Sequence, residues 1–446
     1  MKSNTATIEN EALEVEQQAI LKKVALSSFL GNFIEWFDYA SYSYLATVIA
    51  LVIMPSGDPT VALLETFGVF ALSFLMRPVG AFFWGHMGDK NGRKWALSTS
   101  ILIMSIATFC IGLIPSFEAI GIAAPVLLLC LRMVQSFSAS GEYAGASTFM
   151  AEFAPAKHRG LYCSLVPAST AAGLLVGSTL ATIMFMTFGQ DSEFVTNIGW
   201  RIPFLLAAPL GFITHYIRTH VSDSPIYQEM ENNLEKQGLA DTSPIKLLLT
   251  KHMRVLIISF GACVLNAVGF YAVLTYLPNY LQDTVGYDAG SSSLITTICL
   301  VAYIAFIFWS GIISDKVGRK KMLIAACLGF IVFTIPAFIL LNSQNFVVIL
   351  LVELVMCLLL TINDGTLASY LSETFPTEVR YSGFALSFNF ANAIFGGSAS
   401  FVSIALIQAT GNSIAPAWYM VAISIIALVA MLLTHDNSSK NLNDIN

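Results

Sequence analysis

Gly85-His86-Met87-Gly88-Asp89-Lys90-Asn91-Gly92-Arg93-Lys94 is a short charged turn, punctuated by glycine and set between two long apolar runs. It recurs as Gly311-Ile312-Ile313-Ser314-Asp315-Lys316-Val317-Gly318-Arg319-Lys320. The interval is the same for the aspartates (315 − 89) and the arginines (319 − 93), 226 residues in both cases. A second pattern, Glu152-x-x-Pro155-x-x-x-Arg159, returns as Glu373-x-x-Pro376-x-x-x-Arg380 after 221 residues (373 − 152). Two different patterns repeated at nearly one interval indicate a duplicated half-chain.

The apolar runs around these turns define the class. Hydrophobic residues make up 56% of the 446 and charged residues 11%, with a mean hydropathy of +0.72. That charge share is about half the soluble norm, too little to cover the surface of a soluble fold this size. The chain therefore reads as an integral membrane protein. Its net charge of −6 says little about partners, because loop location matters more than the total. The N-terminus has no basic region followed by an apolar core, and Glu9 to Lys23 is mixed in charge, so no cleaved signal peptide is expected. Cysteines 110, 130, 163, 263, 299, 327 and 357 all fall inside apolar runs without zinc-ligand spacing, and read as small packing residues. No phosphate-binding loop, HExxH or catalytic constellation is present. Neither an enzyme nor a built-in ATPase is expected, and no cofactor, metal or nucleic acid is called for.

Crossing about 30 Å of hydrocarbon takes about twenty residues of helix. Twelve segments meet that need: 24–54, 61–84, 95–114, 121–150, 161–188, 201–219, 253–281, 290–312, 322–341, 345–370, 382–408 and 415–434. Breaks such as Pro55-Ser56-Gly57-Asp58-Pro59 and Asn342-Ser343-Gln344-Asn345 carry turn chemistry. The expected organisation is a tail at 1–23, six spans over 24–219, a polar loop at 220–252, six spans over 253–434, and a tail at 435–446. Lysine and arginine cluster at Lys22 and Lys23, in the two repeated turns, at Lys157, Arg159 and Arg380, and around the central loop from Arg218 to Arg254. The alternate loops carry almost none, Arg201 excepted, which puts both termini and the central loop in the cytoplasm.

Ionisable residues inside a membrane are costly and mark function by default. In the first span Glu35, Asp38 and Tyr42 share one helical face, with Tyr39 about 40° away. Glu35 lies on the order of 16 Å deep. Two carboxylates there are not both ionised cheaply unless a cation is close. The fourth span offers Arg132, with Ser136 and Tyr143 on its stripe and Gln135 and Glu142 on the next. A guanidinium grips a carboxylate of the protein or of a substrate, and competition between the two is a route to coupling. Arg77, directly before Pro78, is placed nearer the cytoplasm with a structural or gating role. The second half adds Glu353 and Asp364, Asn266, Tyr271 and Tyr276, and Asn389 and Asn392. Buried asparagines also serve plain interhelical hydrogen bonding, and small-residue runs such as Ala171-Ala172-Gly173 and Gly396-Gly397-Ser398 allow close helix approach.

The repeated turn resembles the signature loop of the major facilitator superfamily, and Arg132-x-x-Gln135 its fourth-helix motif, with Ser136 where a glycine is usual. The combination of Gly31-Asn32, Glu35-Trp36-Phe37-Asp38, Arg77-Pro78-x-Gly80, Gly141-Glu142-Tyr143, Trp200-Arg201-Ile202-Pro203-Phe204, Ser224-Pro225 and Tyr276-Leu277-Pro278-x-Tyr280-Leu281 is similar to the metabolite:proton symporter family. Within it, the segment Ile103 to Pro115 is most similar to the osmolyte-carrying, proline/betaine branch. That branch has a long coiled-coil extension, whereas His435-Asp436-Asn437-Ser438 follows the last span here, so gating by such a tail is not expected. Glu353 and Asp364 are also acids where that branch is expected to be neutral.

The resemblance implies an all-α membrane protein of twelve helices in two pseudo-symmetric six-helix bundles, with spans 1, 4, 7 and 10 around a central cavity. It implies proton-coupled import by alternating access in a bacterial inner membrane, by a functional monomer whose partners are a small solute, protons and lipid. The expected solute is a zwitterion such as proline or a betaine. An organic acid (2-oxoglutarate, citrate or shikimate type) is the alternative, and a transporter-like receptor the alternative of another class. Glu35, Asp38 and Glu142 are the expected proton-coupling residues. Arg132, Trp36, Tyr39, Tyr42, Gln135, Tyr143, Asn266, Tyr271, Asp364 and Asn389 are the expected substrate contacts, with Trp36, Tyr39 and Tyr42 offering cation–π faces. Asp89, Arg93, Glu152 and Arg159, mirrored by Asp315, Arg319, Glu373 and Arg380, are the expected gate.

Overall fold

In hydrocarbon a backbone amide has no water to bond, so it bonds within its own helix. The computed structural model describes residues 2–190, 192–236, 243–438 and 440–445, with the side chains of 2–16, 59, 60 and 289 left aside. No strand occurs among the described residues. Among the described residues, ten helices are long and apolar enough to cross a membrane. An eleventh span is broken: within the long helix Lys2–Tyr44, the part Gln17–Tyr44 meets Ala46–Ile53 at 68°. The sequence had suggested one continuous element over 24–54, and neither proline nor glycine marks the bend. The same helix continues through 23/24, where a tail was expected to end.

The remaining span, Ile202–Thr219, packs along the third and the first. His215 and Arg218 in its last turns reduce its hydropathy, and Arg218 is buried in an ion pair rather than facing lipid. The central loop holds two short helices, Pro225–Lys236 and Pro244–Lys251.

Packing repeats with the sequence. Span one lies on span five and span three on span six. Span seven lies on span eleven and span nine on span twelve, which is the same pairing one half later. The two bundles meet through spans two and eleven and, symmetrically, through spans eight and five. At the second contact the backbones nearly touch. A methyl group added at Gly160 would lie 2.6 Å from the carbonyl oxygen of Gly311, and one added at Gly311 would lie 2.7 Å from that of Gly160. Only glycine fits there.

The halves differ in one respect. Spans seven and eleven contain π-helical turns at Ala272–Tyr276 and Asn392–Gly396, and these fall together where Tyr271 packs against Gly396. Such turns place an extra residue in the helix and recur at functional positions.

Candidate functional site

Burying a charge is tolerable only when it is paired, and away from the repeated turn the first bundle pairs three buried acids with three arginines. Arg77 Nη2 donates to Glu35 Oε1 at 2.6 Å and to the Tyr39 hydroxyl at 2.9 Å. Arg132 Nη1 donates to Asp38 Oδ2 at 2.7 Å and to Gln135 Oε1 at 2.6 Å, while Gln135 Nε2 donates to Asp38 at 2.5 Å and to Thr108 at 2.6 Å. Arg218 grips both oxygens of Glu142 and also donates to the carbonyls of Leu97 and Ser27.

These placements change several expectations. Arg77 is the partner of Glu35, not a residue of the cytoplasmic end. It stands two residues beyond the turn at Leu75, between Pro59–Phe74 and Met76–Lys90, and reaches the first span. Arg132 is wholly buried, with its guanidinium carbon 4.0 Å from the Tyr42 ring centroid, 5.1 Å from Phe70 and 5.5 Å from Tyr39. It is enclosed by the first bundle, and its Nε and Nη2 are buried with no hydrogen bond, so the guanidinium keeps donors beyond those given to Asp38 and Gln135. The faces of Tyr39 and Tyr42 are taken in the same way, since Arg77 covers Tyr39 at 5.1 Å and Arg132 covers Tyr42. Neither ring offers a free cation–π face to a solute. Glu142 is held by Arg218 on the side of the third and sixth spans.

Trp36 is half-buried, its ring 5.0 Å from Phe270 of the second bundle. Tyr143 stacks flat on Phe388 at 4.3 Å, also across the bundles. Glu35 Oε2, Arg77 Nε, Asp38 Oδ1 and Trp36 Nε1 are buried with no hydrogen bond. This is a cluster with spare polar atoms beside the bundle interface. On the other side Asp364 accepts from Tyr303 at 2.5 Å and Asn266 at 2.6 Å, with no cation paired to it among the described residues. Asn389 donates to Ser140 O at 2.8 Å and its own helix at Ala385 O, so it is an interhelical bond rather than a free ligand. Glu353 is buried away from both clusters.

The repeated turns form the second part of the site. Asp89 accepts hydrogen bonds from the N–H groups of Tyr381 (3.1 Å) and Ser382 (2.8 Å), at the start of helix Arg380–Ala391 in the opposite bundle. Asp315 does the same for Gly160 (2.7 Å) and Leu161 (3.0 Å), at the start of span five. Each carboxylate thus meets the positive end of a helix dipole across the interface. Arg93 pairs with Asp89 at 2.9 Å and Glu152 at 3.3 Å, and Arg319 with Asp315 at 2.8 Å and Glu373 at 3.1 Å. Arg159 was expected beside Glu152 in its own half. It crosses instead to Glu373 at 2.9 Å, and Arg380 crosses to Glu152 at 2.9 Å. The exchange follows from the helix starts: both arginines open helices that dock against the other bundle. The hydrogen bonds that cross between the bundles gather in this half of the molecule, which is therefore closed.

The Major Facilitator Superfamily profile matches residues 29–400 and again residues 260–444. The chain belongs to the major facilitator superfamily. It is 35% identical over 427 residues to the proline/betaine transporters of Salmonella typhimurium and Escherichia coli K12, covering 95% of this chain and 85% of theirs. The glycine betaine/proline/ectoine/pipecolic acid transporter OusA of Dickeya dadantii matches to the same extent. Among solved structures, the proton:xylose symporter XylE bound to 6-bromo-6-deoxy-D-glucose superposes with a TM-score of 0.78 at 17% identity, over 96% of this chain and 98% of that one. A partially occluded inward-open form of the E. coli xylose transporter gives 0.66 at 18% identity, over 95% and 100%. The superfamily fold accounts for the duplicated bundles, and this multi-pass membrane transporter carries its signature turn twice.

Proposed function

We propose that this superfamily member is a proton-coupled importer of a small zwitterionic osmolyte of the proline and betaine kind. It works as a monomer in the bacterial inner membrane, with both termini and the closed, basic face in the cytoplasm. The relatives named above support the solute class, and the lysine and arginine distribution supports the orientation.

One observation carries the mechanism: the Glu35–Arg77 pair at the bundle interface, with Glu35 Oε2 and Arg77 Nε unbonded. A proton taken by Glu35 removes its charge and frees the Arg77 guanidinium for the carboxylate of the solute. Loss of the solute returns Arg77 to Glu35 and expels the proton. Solute and proton then travel together because each needs the other to release the pair. Asp38 is held by Arg132 and Gln135 and keeps this region ordered. The second bundle contributes Asp364 without a paired cation, which suits the cationic end of a zwitterion and disfavours a tricarboxylate.

The test is uptake into proteoliposomes under an imposed inward proton gradient, over proline, betaine, ectoine, 2-oxoglutarate and citrate. Gradient-driven accumulation of the first three is expected. Accumulation of the dicarboxylate alone would reverse the solute assignment, and flux opposed to the gradient would make the protein an antiporter.

A further inference from the structure

After the last span, Ala415–Leu433, the chain does not leave the cytoplasmic face but runs across it. Asn437 donates to the Glu373 carbonyl at 3.1 Å, and Ser438 Oγ accepts from the Arg319 N–H at 2.8 Å, where span nine begins. The carbonyls of Lys440 and Leu442 then accept from Arg159 (3.3 Å) and Arg380 (3.0 Å). These are the two arginines whose ion pairs cross between the bundles. Leu442 is fully buried and Ile445 nearly so, both within the main core.

The central loop approaches from the other half in a matching way. Asp223 accepts from the Lys94 N–H at 3.2 Å, where span three begins, and Ser224 donates to Glu152 at 2.5 Å. The Tyr227 ring lies 4.9 Å from the Arg93 guanidinium, and its hydroxyl donates to Lys90 O at 3.0 Å. The two segments meet where Asn443 Nδ2 donates to Glu229 Oε2 at 2.7 Å.

We propose that residues 436–438 with 440–445, and residues 223–236, are the two arms of a clasp over the cytoplasmic gate, joined at Asn443–Glu229, and that the arms part before the carrier opens inward. The tail is bonded to Arg159 of the first bundle and Arg380 of the second, so it cannot remain on both when the bundles separate. Its anchor is apolar, at Leu442, and its contacts to the arginines are charge-assisted bonds to carbonyls, which are stronger than neutral ones. The clasp therefore weights the equilibrium towards the state closed to the cytoplasm. The inference rests on the alternating-access reading and the orientation given above.

Cys163 is a native reporter, since it is buried four residues from Arg159 on the interface side of span five. With the full-length protein retaining Cys163 as its single cysteine, N-ethylmaleimide labelling is compared between the parent and Leu442→Asp. Labelling is expected to rise roughly tenfold, the change that ~1.4 kcal/mol makes in a two-state opening equilibrium. Labelling within about twofold of the parent, in protein of unchanged thermal stability, overturns the clasp.

The second experiment joins the arms. In a cysteine-free background, Asn443→Cys with Glu229→Cys is oxidised to a disulfide, and flux is expected to stop and to return on reduction, while proline or betaine still raises the melting temperature of the cross-linked form. Full flux with the arms joined overturns the proposal. If no tested solute moves even in the parent, the transport reading has failed, and the Cys163 comparison still decides the clasp because it needs no solute.

Discussion

Asp89 and Ser382 bind each other across the two bundles: the carboxylate sits 2.8 Å from a backbone N–H at the start of the opposite helix. The donor is main chain, so no side-chain change in Ser382 removes it, and the acceptor is one charged group. Asp315 and Gly160 repeat the relationship in mirror order. Two carboxylates thus read helix ends across the interface, beside the Glu152–Arg380 and Glu373–Arg159 pairs that cross it through side chains.

Asp89→Asn is expected to open the gate without altering the list of solutes. A charge-assisted bond to a helix N-terminus contributes about 1–2 kcal/mol, so hydrogen–deuterium exchange at Tyr381 and Ser382 should quicken roughly tenfold. Asp315→Asn should do the same at Gly160 and Leu161. Altered selectivity with unchanged exchange at these amides would contradict the latch.

Gly311→Ala tests contact rather than charge. Its methyl group would press on the Gly160 carbonyl from 2.7 Å, and overpacking of this kind costs about 1–3 kcal/mol. The strain is relieved by separating spans five and eight, so Cys163 should label faster and net uptake should fall. Gly57→Ala, with open space around it, is the control and should behave as the parent.

Glu35→Gln is expected to abolish accumulation driven by a proton gradient while leaving solute exchange across the membrane. A loss of about tenfold or more in the first with the second within about threefold is the signature. Arg77→Lys should not rescue binding, because a point charge does not reproduce the guanidinium fork. Removing one partner alone leaves a buried charge and costs about 3–5 kcal/mol. The double variant Glu35→Leu with Arg77→Met should therefore recover melting temperature but not transport.

The linker arm carries a pH response of its own. Burial raises the Asp223 carboxyl above its ordinary 3.8, against the opposing bond from Lys94 N–H. A carboxyl raised on docking contributes most at low pH, below its undocked value, and that contribution is lost as pH rises through the raised one. Docking of helix Pro225–Lys236 should therefore loosen as pH climbs out of the ordinary carboxylate range. Limited trypsin digestion at Lys236, read against pH, should show this, and Asp223→Asn should flatten the profile.

The duplication and its two bundles were legible because charged, glycine-marked turns stand out against apolar runs. The mid-membrane acids were legible from depth alone, since Glu35, Asp38 and Asp364 are too costly to be incidental. Which arginine meets which acid was not. Arg77 meets Glu35 two residues beyond the turn at Leu75, and Arg132 lies 4.0 Å from the ring of Tyr42, three residues before the first span bends at Leu45. The turn at Leu75 is marked by Pro78, whose ring opposes the Phe74 carbonyl four residues back, whereas the bend at Leu45 has no proline or glycine beside it. Arg159 and Arg380 exchange halves because docking geometry, not sequence proximity, chooses their partners. The tail was read as a short polar end, although Leu442 and Ile445 are the apolar residues that anchor it.

The π-helical turns in spans seven and eleven have no counterpart in spans one and five, and the three buried acid–arginine pairs have none in the second bundle. Since the two copies of the duplicated gene segment arose alike, they have since divided their tasks. The first is electrically neutral inside and bound to hold its shape. The second is pliable where Tyr271 meets Gly396, with an uncommitted acid nearby. The groups proposed above for coupling thus lie in the first copy, while Asp364, with no cation paired to it among the described residues, lies in the second.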